Sequence, residues 1–341
     1  MTIQQAIAAL LEKRDLARSE MQDVMQQIMT GQCTDAQIGG LLIALRMKGE
    51  SVDEITAAAQ VMSDLASGLT IDSPHLIDIV GTGGDSTGTF NVSTAASFVA
   101  AGAGATVAKH GNRSVSSNSG SADVLEKAGA NLSLNAEQVA NVIAQAGVGF
   151  MFAPMHHSAM KHAIGPRKEM AVRTIFNVLG PLTNPAKVKR QVIGVYAPEL
   201  TATLAEVFGQ LGSEHTMVVH SDDGMDELSV CAPSQVSELK NGKISHYKVT
   251  PEEFGITRAN IEDLVVNDST ESLQMIDAVL AGEFGAPRDM VALNAGAGIY
   301  VSGLSTTLAD GVKAAYAAID NGSALAAKNA YVSATNDGAK A

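Results

Sequence analysis

No tryptophan occurs in the sequence, and aromatic residues of every kind make up only 4% of it. Stacking platforms for single-stranded nucleic acid and the aromatic belts of membrane interfaces are built from such residues, so both are disfavoured. Only two cysteines are present, Cys33 and Cys231, with no CxxC or Cys/His cluster around them. Neither a disulfide framework nor a zinc site is implied, and each thiol is expected to be a small buried apolar group. No apolar run is long enough to cross a bilayer; the most apolar stretch, around residues 98–108, is short and rich in Ala and Gly. Positive charge is scarce as well, with 23 Lys and Arg against 36 Asp and Glu, a formal net charge of -13. That field repels polyanions and argues against a nucleic-acid partner. A small phosphorylated substrate stays compatible with it, given a local cluster of cations, backbone NH groups and a divalent metal. The opening MTIQQAIAALLEKRD lacks a basic leader and has helical periodicity, so a cytoplasmic protein without a membrane span is expected.

What is present suffices for two domains: 341 residues, 46% of them hydrophobic. Capping-box patterns stand at Thr34/Gln37 and Ser51/Glu54. Behind them, Ile38, Leu41, Leu42 and Leu45 share one helical face, and Ile55, Ala59, Met62 and Leu65 share another. Residues 2–68 therefore read as a small helical bundle, with Leu10, Leu11 and Ile43 as surplus apolar surface for subunit contact. After Pro74 the pattern changes to a continuous apolar run at 76–80, a Gly-rich turn and an Ala-rich helix from about Ser93. Further buried strands are expected at 105–108, 148–152, 192–195 and 217–219, alternating with helices at 136–145 and 201–211. Residues 236–249 suggest a hairpin around Asn241 and Gly242, and the chain is helical again from Thr270. Residues 165–189, with two prolines in GPLTNP, read as an excursion from the sheet. The fold class is α/β, a helical N-terminal domain on a larger domain with a mostly parallel central sheet.

The strongest local signal is GTGGDSTGTFNVST, residues 81–94, at the carboxyl end of a buried strand and leading into a helix. Ligands bind at such strand ends. Gly81, Gly83 and Gly84 let backbone NH groups approach an anion, and Asn91, Ser93 and Thr94 add donors where the helix dipole favours negative charge. A plain strand-to-helix turn capped by Ser93 is the simpler reading of this loop alone. A dinucleotide site fits less well, because Ser86 stands where the third glycine of GxGxxG belongs. The next strand also ends in Lys109 and His110 instead of an acid. The following loop, KHGNRSVSSNSGSAD (109–123), supplies Asn112, Arg113, Ser116, Ser117 and Ser121 as a second set of donors. In SDDGMDEL (221–228), Asp226 and Glu227 are adjacent hard oxygen ligands suited to Mg2+, while Asp222 and Asp223 read as solvated. Taken alone, such an acidic turn is in most proteins merely solvated. In FAPMHHSAMKHAIGPRKE (152–169), His156 and His157 read individually as structural, and Met151, Met155 and Met160 as packing. Arg167, just after Gly165 and Pro166, could grip a carboxylate with paired NH donors, or could simply pair with Glu169.

Together, GTGGDSTGTFNVST, KHGNRSVSSNSGSAD, the FAP run with GPR, FNVLGPLTNP and the late DE pair resemble the anthranilate phosphoribosyltransferases, in order and across nearly the whole chain. The resemblance implies a fold of the nucleoside phosphorylase/phosphoribosyltransferase type. Its helical domain would comprise residues 1–72 with inserted helices from about 166–188, and its α/β domain residues 73–165 and 189–341. It implies a homodimer in tryptophan biosynthesis that joins phosphoribosyl diphosphate to the amine of anthranilate. In the first loop the donor would be bound by Gly81, Gly84, Asp85, Thr89, Asn91, Val92, Ser93 and Thr94. In the second it would be bound by Lys109, His110, Gly111, Asn112, Arg113, Ser114, Val115, Ser116, Ser117 and Ser121. Ser93, Asp226 and Glu227 would hold two magnesium ions. Gly81, Asn112, His157 and Arg167 would contact anthranilate, with His110 also lining its channel. Met160 stands where some relatives carry a bulkier residue. His110 or the acceptor's own carboxylate could take the amine proton. A pyrimidine nucleoside phosphorylase would be longer, and a non-catalytic nucleic-acid-binding relative would lack the DE pair and carry a basic surface.

Overall fold

In the computed structural model, which describes residues 1–85, 87–114 and 119–337, the chain opens with four helices. These are α1 (Ile3–Leu11), α2 (Arg18–Met29), α3 (Asp35–Lys48) and α4 (Val52–Asp64). Both expected capping boxes form, and Thr2 with Gln5 makes a third at α1. Each satisfies NH groups that the first turn leaves without helical partners. Glu54 does more than cap: fully buried, it also accepts from Leu16 N at 2.9 Å and Lys48 Nζ at 2.9 Å, fastening the α1–α2 connection to α4. Leu10 is buried in the bundle, whereas Leu65, placed by periodicity on the inner face of α4, is its C-cap and is exposed. Cys33 and Cys231 are unpaired and half-buried, less enclosed than expected.

From β1 (Leu76–Gly81) the chain alternates: α5 (Val92–Gly102), β2 (Thr106–Gly111), α6 (Ser121–Lys127), α7 (Ala136–Ala146) and β3 (Val148–Phe152). The excursion follows as α8 (Ala153–His156), α9 (Lys161–Met170) and α10 (Phe176–Leu182). The sheet resumes with β4 (Arg190–Gly194), α11 (Leu200–Gln210), β5 (His215–Ser221), β6 (Ser234–Lys240) and β7 (Lys243–Val249). Helices α12 (Ser269–Leu280), α13 (Ala286–Val301), α14 (Leu308–Asp320) and α15 (Ser323–Asp337) finish the described chain. The hairpin forms at the expected place, with φ of 51° at Asn241 and 75° at Gly242, the pair of positive values that a tight two-residue turn needs.

The seven strands run in the order β3-β2-β1-β4-β5-β6-β7, parallel through β5, with β6 and β7 antiparallel at one edge. Successive strands spread one way from β1 through β2 to β3, and the other way from β4 through β5. The strand order therefore reverses between β1 and β4, where Gly81 lies opposite Gly194. An open α/β sheet leaves its ligand crevice at that point, outside the carboxyl ends of the strands. One hydrophobic core fills the space between the sheet and helices such as α5 and α13. A second core runs continuously from the helical bundle through Ile175, Phe176 and Leu179 of the excursion to Ile193, Val218 and the inner face of α11. The excursion thus shares its burial with the bundle, as α9 packs on α2 and α3 and α10 on α4.

Candidate functional site

The glycine loop leaves β1 at the crevice. The facing glycines of β1 and β4 exist to admit one residue: a Cβ on Gly81 would stand 2.4 Å from Asp226 Oδ2, and one on Gly194 would stand 1.4 Å from Asp226 O. At Gly194 no side chain fits, because the backbone itself is in the way, and at Gly81 one would displace the Asp226 carboxylate. Asp226 is thereby buried at the switch point, where Gly83 N donates to its Oδ2 at 2.8 Å. Carboxylate oxygens of Asp85, Asp226 and Glu227 lie within 4.8 Å of one another. Ser93 joins Gly81, Asp226 and Glu227 around one narrow cavity of about 10 Å³. A wider hollow of about 400 Å³, beside Arg14, Asp53 and Gln210, contains none of the expected site residues.

Three acids so close, two of them adjacent in sequence, repel one another. Burial, reinforced by their neighbours' charge, raises the carboxyls of both Asp226 and Glu227. Among the described residues, the cation that opposes this is Lys109. The solvated-turn reading therefore holds for Asp222, which is exposed and pairs with Lys248 at 2.7 Å, and fails for the DE pair. Asp223 turns inward to accept from Ser229 Oγ at 2.6 Å. The cluster fits a divalent cation on its chemistry: hard oxygen donors, crowded, with Asp226 buried and Asp85 and Glu227 partly so, and with charge that the described protein partners leave largely uncompensated. Ser93 and the two acids expected as ligands do meet, and Asp85, expected only at the donor, belongs with them.

Lys109 and His110 lie inside β2, which extends to Gly111, so the strand and not the loop fixes their direction. Lys109 Nζ donates to Ile79 O at 2.6 Å and Ser93 Oγ at 3.0 Å. Burial lowers it to about 8, opposed by Asp78, Glu227 and Asp226. Asp78, inside β1, is wholly buried; burial raises it to about 6 against the pull of Lys109 and a 2.8 Å hydrogen bond from Asn184 Nδ2. Sequence reasoning passed over both Asp78 and Asn184, although an acid inside the apolar run LIDIV was a visible signal of a buried partner.

The helix expected from about Ser93 begins at Val92, and its cap is Asn91, whose Oδ1 accepts from Thr94 N at 3.1 Å. Ser93 is thus inside the first turn, with its hydroxyl facing Lys109. Thr94 Oγ1 is buried with no partner among the described residues. Thr89 forms an isolated bridge with Val265. In the second loop, Asn112 Oδ1 accepts from Arg113 N at 2.8 Å, Ser114 N donates to Asp123 at 3.0 Å, and Ser121 opens α6 beside Gly111. Arg113 is committed to Glu126 and Asp123 of α6. Val115, Ser116 and Ser117 lie outside the described residues, as does Ser86.

The excursion closes over this edge of the sheet. His110 Nδ1 lies 3.2 Å from Gly180 O, and the rings of His110 and His157 are 5.1 Å apart. Burial first, then the neighbouring histidine, lowers His110 to about 3 and His157 to about 4, so both are neutral. Their Nε2 atoms are buried without partners among the described residues. His156 shares the unpartnered Nε2, and its Nδ1 meets Ser67 O at 2.8 Å, a structural bond to the end of the bundle. Arg167 sits within α9, 5.2 Å above the Phe176 ring, and among the described residues it has no acid partner, Glu169 included. Arg173, which the motifs did not single out, donates from Nη2 to Gly84 O.

A crevice that gathers a glycine loop, a helix start and a carboxylate cluster under a helical bundle is the arrangement of a transferase of phosphorylated sugars. The comparisons agree: the glycosyl transferase family a/b domain matches residues 73–325, and the helical bundle domain of that family matches residues 4–66. The chain is 59% identical over 326 residues to anthranilate phosphoribosyltransferase of Marinomonas sp. (strain MWYL1), covering 95% of this chain and 94% of that one. It superposes on the crystal structure of anthranilate phosphoribosyltransferase (TrpD) from Thermus thermophilus with a TM-score of 0.91 at 41% identity, covering 97% of this chain and 99% of that one. On the enzyme from Saccharomyces cerevisiae in complex with PRPP and Mg, the TM-score is 0.90 at 26% identity, covering 98% of each chain. The chain belongs to the anthranilate phosphoribosyltransferases and transfers a phosphoribosyl group to anthranilate.

Proposed function

We propose that phosphoribosyl diphosphate lies across the switch point, its phosphates against the loop of Gly81, Gly84, Asp85 and Asn91, the start of α5, and the loop from Lys109 to Ser121. The observation that carries this reading is the meeting of Asp85, Asp226, Glu227 and Ser93 at the mouth of the glycine loop. These residues would hold two magnesium ions, which when bound neutralise charge on the departing diphosphate. Lys109 orients the Ser93 hydroxyl and adds a fixed positive charge beside the leaving group. The loop and α5 supply NH groups aimed before reaction begins.

Anthranilate would enter under α9, with its carboxylate on Arg167 and its ring near His110, His157 and Asn112. Support comes from a half-buried guanidinium with no acid partner among the described residues, a state costly to keep unless a ligand anion supplies the missing charge. The neutral aromatic amine attacks the anomeric carbon without a base, so positioning suffices for bond formation. The attacking nitrogen then sheds a proton. With Nδ1–H on Gly180 O, His110 keeps a lone pair on Nε2 that can accept an N–H hydrogen bond, yet at about 3 it is a poor resting place for the proton. The acceptor's own carboxylate fits that role better.

In the same reading, the helical domain comprises residues 1–72 with the helices from about 166–188, and the α/β domain residues 73–165 and 189–341. Two chains associate through α1 and α3, where Leu11 is 69% and Met47 81% exposed. The protein works in the cytoplasm in tryptophan biosynthesis; two unpaired thiols suit that compartment, and no helix among the described residues is long and apolar enough to cross a membrane. The deciding assay follows the loss of anthranilate fluorescence on adding phosphoribosyl diphosphate and Mg2+. Product is expected with metal and none in excess chelator; full activity in chelator would remove the acids from the metal role.

A further inference from the structure

Arg173 follows Arg167 by six residues, just beyond the end of α9. Although exposed, it is held on two sides: Nη2 donates to Gly84 O, and the guanidinium stands 4.3 Å from the centre of the Tyr196 ring. Tyr196 is tied to the same loop, its N donating to Thr82 Oγ1 at 3.2 Å, while Thr82 N donates to Gly194 O at 2.9 Å. Among the described residues Arg173 has no acid partner, even though the residue after its acceptor is Asp85.

A trans peptide is planar, and its C=O and N–H point to opposite sides. Holding the Gly84 oxygen on Arg173 therefore turns the Asp85 N–H to the side of the loop away from the guanidinium. It also fixes the backbone from which the Asp85 carboxylate reaches Asp226 and Glu227. Gly83 and Gly84 have φ of 64° and 79°, and on its Gly84 side that peptide meets little steric resistance to rotation. Within the loop Thr87 Oγ1 donates to Asp85 Oδ2 at 2.6 Å, which restrains the side chain, and the peptide oxygen is held from outside by Arg173.

We propose that Arg173 is a positioning residue of the donor site, which keeps the Gly84–Asp85 peptide oriented with its N–H free for a phosphate oxygen and its carboxylate in the acidic cluster. Because it follows the helix that carries Arg167, it also joins the acceptor side of the crevice to the donor loop. This inference rests on the donor-site reading above. The test is steady-state kinetics of Arg173→Ala, Arg173→Lys and the unaltered enzyme, titrating phosphoribosyl diphosphate, Mg2+ and anthranilate separately. For Arg173→Ala, the donor KM and the Mg2+ needed for half-maximal rate should rise about tenfold, the scale of one charge-assisted hydrogen bond. The anthranilate KM should move by less than about threefold, since its contacts are not removed. Arg173→Lys keeps a donor for the Gly84 oxygen and should recover most of the loss. An unchanged donor KM in Arg173→Ala, or equal rises for both substrates with a lowered thermal midpoint and no recovery by Lys, would overturn the inference. An unaltered enzyme that makes no product would instead overturn the reading on which it rests.

Discussion

One sheet carries two acidic sites, each with a buried carboxyl, and they are built on opposite principles. On β6, Glu238 is surrounded by partners: Tyr247 OH donates to it at 2.7 Å, Tyr300 OH at 2.8 Å, and His215 Nε2 lies 2.7 Å away. Burial alone would raise its carboxyl, but these hydrogen bonds outweigh it and hold Glu238 at about 2. After β5, Asp226 and Glu227 share a space with Asp85 and are raised instead, by burial and by one another. A carboxylate whose lone pairs are filled by the protein stabilises the fold. One whose charge is left over waits for something that is not protein.

The widest separation between the two should come from neutral isosteres. Asp226→Asn with Glu227→Gln should lower kcat/KM on the order of a hundredfold or more and raise the Mg2+ requirement, because the negative charge is what the metal needs. In chelator the thermal midpoint of that double variant should equal or exceed the parent's, since mutual repulsion is relieved. A lower midpoint at unchanged activity would make the two clusters alike. Next in size, Arg167→Ala removes a cation with no acid partner among the described residues and should raise the anthranilate KM about ten- to a hundredfold, from a charge-assisted bond of roughly 1.5–3 kcal/mol. Donor KM should hardly move; an equal rise for both substrates would take Arg167 out of the acceptor site.

The Glu238 cluster should respond the other way. Glu238→Gln is expected to cost about 2–3 kcal/mol of stability by denaturant titration, because it strips charge from three hydrogen bonds. Both KM values should stay within about twofold, since the effects of separate sites are nearly independent. The same contribution should be seen to vanish in acid. Held at about 2 against an ordinary 4.5, Glu238 contributes its full stability above the ordinary value and loses it as pH falls from about 4.5 towards 2. Parent and Glu238→Gln should converge in stability across that window, and parallel curves would mean that Glu238 is not specially held.

Much of this molecule was legible in one dimension. Capping boxes at Thr34 and Ser51, apolar runs as strands and the Asn241–Gly242 hairpin are local consequences of side-chain chemistry, and the structure repeats them. Errors fell where a residue's surroundings come from elsewhere in the chain. Periodicity could not show that Leu65 ends its helix in solvent, nor that Leu10 would be covered by the rest of the bundle. Asn91, not Ser93, caps α5, a difference of two residues that frees the Ser93 hydroxyl for Lys109.

The sequence by itself determined the elements, the glycine loop at a strand end, the donor-rich character of two segments and the presence of an acidic pair, because each depends on neighbours a few residues away. Only the tertiary structure decided which acids count. Asp222 and Asp226 stand four residues apart in one turn, yet one pairs with Lys248 in solvent while the other is buried against Gly81 and Gly194. Asp85 joins Asp226 and Glu227 from the loop after another strand, and Arg173 reaches Gly84 from beyond α9. Charge left uncompensated by the protein is a sum over all neighbours in space, and those neighbours are assigned by the order of strands in the sheet, which no local pattern contains.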